Sequence, residues 1–182
     1  FTVTTTAGSP QSADGTFSVT VTAKDSGGTT VTTYTGTVDF TSSDSQAILP
    51  SSYTFVSGDN GAHTFTGVKL RTAGSRTITA TDHDAASVTG TSSAITVVAG
   101  APAKLVVTSS TADLASGSTR GLTAEVQDAA GNVVTSDNST SVSFAKSSGA
   151  GTLSGLGSAT AVSGVATKTV TGVLAEIGRA HV

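Results

Sequence analysis

The segment Gly61–Asp82, GAHTFTGVKLRTAGSRTITATD, constrains the fold of this chain more than any other. Two runs rich in Thr and apolar residues flank Ala73-Gly74-Ser75. This pattern predicts two consecutive antiparallel strands joined by a tight turn. Phe65, Val68 and Leu70 are expected to face inward on the first. The inward parity changes at Gly67, which predicts a bulge there, because glycine accepts the backbone angles a bulge needs. On the second run Ile78 and Ala80 take one face and Thr77, Thr79 and Thr81 the other. A shortened version returns at Gly164–Ala175, GVATKTVTGVLA.

That return belongs to a longer repetition. Asp25…Gly28 is matched by Asp128…Gly131, Val38 and Phe40 by Val142 and Phe144, and Thr66-Gly67-Val68 by Thr171-Gly172-Val173. The separation lengthens by one residue at each step, as single-residue loop insertions would produce. The chain therefore reads as two tandem copies of one unit.

Within the first copy short strands follow one another. Thr16–Lys24 is the clearest, with Phe17, Val19, Val21 and Ala23 on one face and Ser18, Thr20, Thr22 and Lys24 on the other. Further strands are expected at Phe1–Ala7, Thr29–Thr33, Gly36–Thr41, Tyr53–Val56 and Ala94–Val98, with Gly58-Asp59-Asn60-Gly61 as a turn. Seven or eight such strands in about a hundred residues predict an all-β, immunoglobulin-like sandwich. The expected organisation is a first repeat over 1–98, a linker over 99–103 and an incomplete second repeat over 104–175.

The second copy stops at Ala175 and lacks counterparts of Arg71–Val98, so an unpaired sheet edge is expected in it. Glu176–Val182, EIGRAHV, departs in composition from both copies. It is read as a non-native tail over 176–182 and excluded from the fold.

Composition narrows the function. Only 12% of the 182 residues are charged and 4% aromatic, with hydroxyls in place of the missing charge. Thr suits a pleated surface, since its branched carbon stiffens the strand while its hydroxyl meets water. A net charge of −3 with nine scattered Lys and Arg makes no basic patch and argues against nucleic acid as a partner. No apolar run is long enough to cross a membrane, and without cysteine there is neither disulfide nor thiolate metal site. A start at Phe1 and the lack of Met lead to the expectation that this is an internal piece of a longer protein.

The phrases LTAEVQDAAGNVV at Leu122–Val134, NSTSVSF at Asn138–Phe144 and GVATKTVTGV at Gly164–Val173 resemble the bacterial immunoglobulin-like repeats of surface proteins. That group includes the invasin and intimin ectodomains. VTAKD, GTVDFTSSD and TAGSRTITATD in the first copy are similar to related repeats strung together in very large secreted bacterial proteins. The resemblance implies a non-catalytic module of an extracellular or cell-surface protein, acting as stalk or spacer, with neighbouring repeats as its partners. Two other roles fit the same module. One is a loop-mediated module that binds a host or cell-surface protein or a glycan. The other is an accessory domain of a secreted hydrolase. The absence of Trp, with only Tyr34 and Tyr53, argues against a sugar-stacking platform.

No catalytic residue and no cofactor are expected. Asp82 and Asp84 flank His83 just past a strand end, the one place where loop carboxylates invite Ca²⁺. Calcium wants six to eight oxygens, so this run needs help from Asp39, Asp44 or Asp59, and the expected metal complement is none. Gly149–Gly155 lacks the βαβ setting of a phosphate loop. No G-x-S-x-G elbow is present, and His63, His83 and His181 are the only imidazoles. Lys24 beside Asp25 raises an intramolecular isopeptide crosslink, but strand parity points Lys24 outward. Asn138-Ser139-Thr140 has the form of a glycosylation sequon and reads as turn residues entering a strand.

Overall fold

The computed structural model describes residues 1–149 and 151–173. The tail expected at 176–182 and the last residues of the second repeat lie outside the described residues. The chain divides into two compact units, one spanning Phe1–Gly100 and one beginning at Ala101.

The first unit contains β1 (Thr2–Thr5), β2 (Gln11–Ser12), β3 (Thr16–Thr22), β4 (Thr37–Ser42), β5 (Tyr53–Thr54), β6 (Ala62–Lys69), β7 (Gly74–Arg76), β8 (Ile78–Asp82), β9 (Thr89–Thr91) and β10 (Ile95–Val98). One sheet runs β1-β3-β6, a second β5-β4-β8-β9, and a small third β2-β10-β7. The pairing is antiparallel except between β2 and β10. This is the all-β, immunoglobulin-like architecture.

The alternation along β3 carries through to packing, with Phe17, Val19 and Val21 buried. Val38, Phe65, Val68, Leu70, Ile78 and Ala80 close the interior from the other strands. Phe17 pairs with Val68 and Val19 with Phe65, so Thr66 and Gly67 oppose Ser18 alone. This is the expected bulge, with Gly67 at φ +76°. On the outer faces threonines sit directly opposite one another and join hydroxyls: Thr20 with Thr64 at 2.8 Å, Thr37 with Thr54 at 2.8 Å and Thr79 with Thr91 at 2.9 Å. Cross-strand pairs of this kind are what the Thr-rich composition supplies.

Two expectations are corrected. The two runs of Gly61–Asp82 do not form a hairpin, since β6 pairs with β3 and β8 with β4. The apolar faces of both runs must meet across the interior, so the chain crosses from one sheet to the other and lays Gly74–Arg76 against β10 on the way. Thr29–Thr33 forms no strand and makes only the isolated bridge Lys24–Thr30.

The second unit contains β11 (Lys104–Val107), β12 (Thr119–Gln127), β13 (Ser141–Phe144), β14 (Thr152–Ser154), β15 (Gly157–Thr160) and β16 (Val165–Val173). One sheet runs β11-β12-β16-β14, and β13 pairs with β15. Ala124, Val126, Val134, Val142, Phe144, Ala166 and Val170 are buried. The repetition persists in atomic detail. Gly28 and Gly131 close equivalent turns at φ +84° and +96°, each donating to the carbonyl of the matched aspartate, Asp25 and Asp128.

Candidate functional site

The polar side chains that could carry chemistry gather where β4 begins and β8 ends, in the first unit. Val38 pairs with Asp82 and Asp39 with Thr81, which brings Tyr34, Asp39, Ser52, Asp82 and His83 to one edge. Tyr34 donates its hydroxyl to Asp82 Oδ2 at 2.5 Å. Asp82 Oδ1 accepts the backbone N–H groups of Asp84 at 3.0 Å and Ala85 at 2.9 Å. The phenol, then these two amides, hold the Asp82 carboxyl below its ordinary range. Burial and the neighbouring carboxylate push the Tyr34 hydroxyl upward. Gly36 makes room for the pair, for a Cβ there would lie 2.5 Å from the Tyr34 hydroxyl and 2.9 Å from Asp82 Oδ2.

A second group lies beside it. Asp59 accepts from the Val56 backbone at 2.8 Å and meets His63 Nδ1 at 2.8 Å, while Tyr53 donates to it at 3.2 Å. Those contacts, the Val56 amide first, depress the Asp59 carboxyl. The Tyr53 and His63 rings stack at 4.0 Å. Edge-on contacts then run from Tyr53 to Phe55 and Phe65, and from Tyr34 to Phe55 and Phe1. Nearly all the aromatic side chains of this Trp-free chain are thus spent inside this unit, as a packed cluster.

The sequence-predicted residues are accordingly placed. Asp82 has both oxygens engaged in the turn and the phenol, and Asp84 supplies one of the amides that Asp82 holds. Asp39 lies against His83 at 2.7 Å and accepts from Ser52. Asp44 lies past the opposite end of β4, where it takes the amides of Arg71 at 2.6 Å and Thr72 at 2.9 Å and the Thr72 hydroxyl at 2.7 Å. Among the described residues no three His, Asp or Glu side chains converge as a metal site. Lys24 donates to Thr30 at 2.9 Å. Asn138 Oδ1 accepts from the Ser163 amide at 2.8 Å and pins the turn before β16.

The chemistry open to this edge is limited by the order of its contacts. Catalysis of the Ser-His-Asp type needs a hydroxyl donating to an imidazole that is oriented by a carboxylate. Here the Ser52 hydroxyl donates to Asp39, and His83 meets that same carboxylate, so no base reaches the serine. The histidine–aspartate pairs fasten loops to strands. Sequence reasoning missed Tyr34 and Gly36; the only signal for the former was a lone Tyr in a Thr-rich run.

Fold and site together define an all-β module of immunoglobulin-like units. No family model and no curated protein matches the sequence. Solved structures do. The adhesin FdeC of Escherichia coli is 22% identical over 94% of this chain and 55% of its own, with a TM-score of 0.48. The Yersinia pseudotuberculosis adhesin InvE is 22% identical over 93% of this chain and 50% of its own, at 0.47. Invasin, a bacterial integrin-binding protein, is 20% identical over 96% of this chain and 34% of its own, at 0.41. The chain spans about half the length of the first two. It is similar to them in fold.

Proposed function

We propose that this chain is a non-catalytic structural segment, a stalk or spacer, of an exported bacterial protein. The supporting observation is the way the first unit ties its beginning to its end. β2 and β10 are parallel, with Val97 opposite Gln11 and Val98 opposite Ser12, and Ala13 donates to the Val98 carbonyl at 2.8 Å. A pull on the two ends drags β2 backward and β10 forward. Parallel strands moved oppositely load their hydrogen bonds together, in shear, and such an arrangement resists force better than one opened bond by bond. The carboxylates and rings of the unit are already engaged by its own loops, which suits a module whose work is to hold a distance.

Single-molecule stretching of the full chain between reference domains tests this. The expected record contains a discrete force peak for the first unit. Its release should be on the order of 300 Å of chain, from ~3.4 Å per extended residue. Extension without a resolved peak would overturn the proposal.

A further inference from the structure

We propose that the outer face of the β1-β3-β6 sheet is an ice-binding surface, its ligand the ordered water of a growing ice crystal. Val3, Val19, Val21 and Phe65 turn inward and are buried, so the residues between them face out. Across the sheet Thr4 lies opposite Thr20, and Thr20 opposite Thr64. On one side of this row Thr2 lies opposite Thr22, and Thr22 opposite Ala62. On the other, Thr6 accepts the Ser18 amide at 2.9 Å, and Thr66 sits in the bulge facing Ser18. Three rows from three strands thus carry seven threonines, one serine and one alanine, and no charge. Lys24 and Lys69 come only beyond the ends of the array.

The fold does not demand this face. At the matched place of the second unit Glu125 stands between Val106 and Val165. The other large sheet of the first unit carries Asp39 opposite Thr81, with His83 against Asp39 at 2.7 Å. Only the β1-β3-β6 face presents hydroxyls and methyls without an ion to impose its own hydration.

Geometry selects the ligand. Outward positions recur every ~6.8 Å along a strand and every ~4.8 Å across the sheet. Both repeats lie close to the rectangular oxygen repeat on a prism face of hexagonal ice. Each threonine offers one donor and two acceptors on a side chain stiffened by its branched carbon. Thr20 and Thr64 lock one another further through their 2.8 Å hydroxyl contact. Twist of roughly 20–25° per strand lifts the corners of the array, so the row Thr4-Thr20-Thr64 carries the match. A stacked sugar would need an aromatic ring, and none stands among these positions. A protein partner needs ~800 Å² on each side, far more than this patch of roughly 10 by 14 Å supplies. A crystal repeats the same site across its whole face, so a small rigid patch suffices.

The test freezes a dilute solution of the fluorescently labelled full chain slowly onto an ice hemisphere and measures protein in the ice against protein in the liquid. Enrichment over an albumin control is expected, with faceted single crystals under the microscope. Thr64→Lys, at an exposed position of the central row, should keep its circular dichroism and melting temperature and lose most of the enrichment. Thr91→Lys, equally exposed on the other sheet, should keep both. Four results would overturn the proposal: no enrichment over albumin, enrichment unchanged in Thr64→Lys, equal loss in Thr91→Lys, or a concentration-dependent dimer abolished by Thr64→Lys, which would make the occupant a second copy.

Discussion

Gly61 lies beneath the carbonyl of Val31, at φ +78°, so close that a Cβ would stand 2.3 Å from the oxygen. Gly164 repeats this under Val134, at φ +77° and 2.6 Å. Each follows a residue that also has positive φ: Asn60, at 50°, caps the short 3-10 turn Ser57–Asp59, and Ser163, at 49°, turns the chain between the bridged Val162 and Val165. Gly28 has a comparable φ of +84° with nothing within 4 Å of the added carbon. Gly28→Ala should therefore lose only the conformational term, about 1 kcal/mol. Gly61→Ala adds a backbone clash and should lose more than about 2 kcal/mol. Denaturant melts of the two variants check the difference, and equal losses would remove the role assigned to Val31.

Phe55 is the largest fully buried side chain of the chain, at 1% exposure, and touches Tyr34, Tyr53 and His63 edge-on. Phe55→Ala should destabilise the first unit by about 3–5 kcal/mol, because ring neighbours cannot collapse into the void. Phe40, half-buried and packed at 4.7 Å against Phe65, should lose less. Reversal of that order in paired melts would contradict the packing described.

Parity along Thr16–Lys24 was legible because period-two alternation survives folding wherever one face is buried. Asp25…Gly28 and Asp128…Gly131 were legible for a similar reason, since a tight turn prescribes its glycine locally. What failed depended on distance. Gly61–Asp82 looks like a hairpin because each run alternates properly, yet which sheet a run joins is decided by the faces it must cover. The Tyr34–Asp82 pair joins residues 48 apart in sequence, and nothing local marks either as the other's partner. Phe40 and Phe144 read as equivalent; Phe144 is buried, while Phe40 is only half-buried.

Acid should weaken both units through their engaged carboxylates. The Thr140 hydroxyl, with the Ser139 and Thr140 amides, lowers the Asp137 carboxyl to about 2. Burial alone would raise Asp44, but donations from Thr72, Arg71 and Gln46 outweigh it and hold it below the ordinary value. Each group binds its proton more readily unfolded, at roughly 3.9, than folded. Their stabilisation is thus complete above about pH 5 and lost as pH falls toward the folded values. His83 runs oppositely. Asp39 raises it, so its contribution is present below about 6.5 and fades as pH rises through the folded value. Melting temperature should fall between about pH 5 and 2, and Asp137→Asn should flatten the part of that fall belonging to the second unit. A flat profile in the unsubstituted chain would show that these carboxylates are unshifted.

Calcium should leave the first unit nearly unchanged. A ligand that binds only the folded state raises the melting temperature by mass action, so the titration is sensitive to any folded-state site. Asp82 is the residue best placed by its loop, yet a cation there must displace the Tyr34 hydroxyl from Oδ2 and the amides of Asp84 and Ala85 from Oδ1. Asp44, past the far end of β4, is too committed to Arg71 and Thr72 to assist. Millimolar Ca²⁺ should then shift the melt by less than about 1 °C, well under the several degrees that a binding energy of ~1 kcal/mol produces in a domain of this size. Asp82→Asn should destabilise the unit whether or not Ca²⁺ is present, since what it weakens is the Tyr34 bond and the turn. Tyr34→Phe should reproduce part of that loss. A calcium-dependent rise in the unsubstituted chain that disappears in Asp82→Asn would instead make Asp82 a ligand and reverse the role assigned to it here.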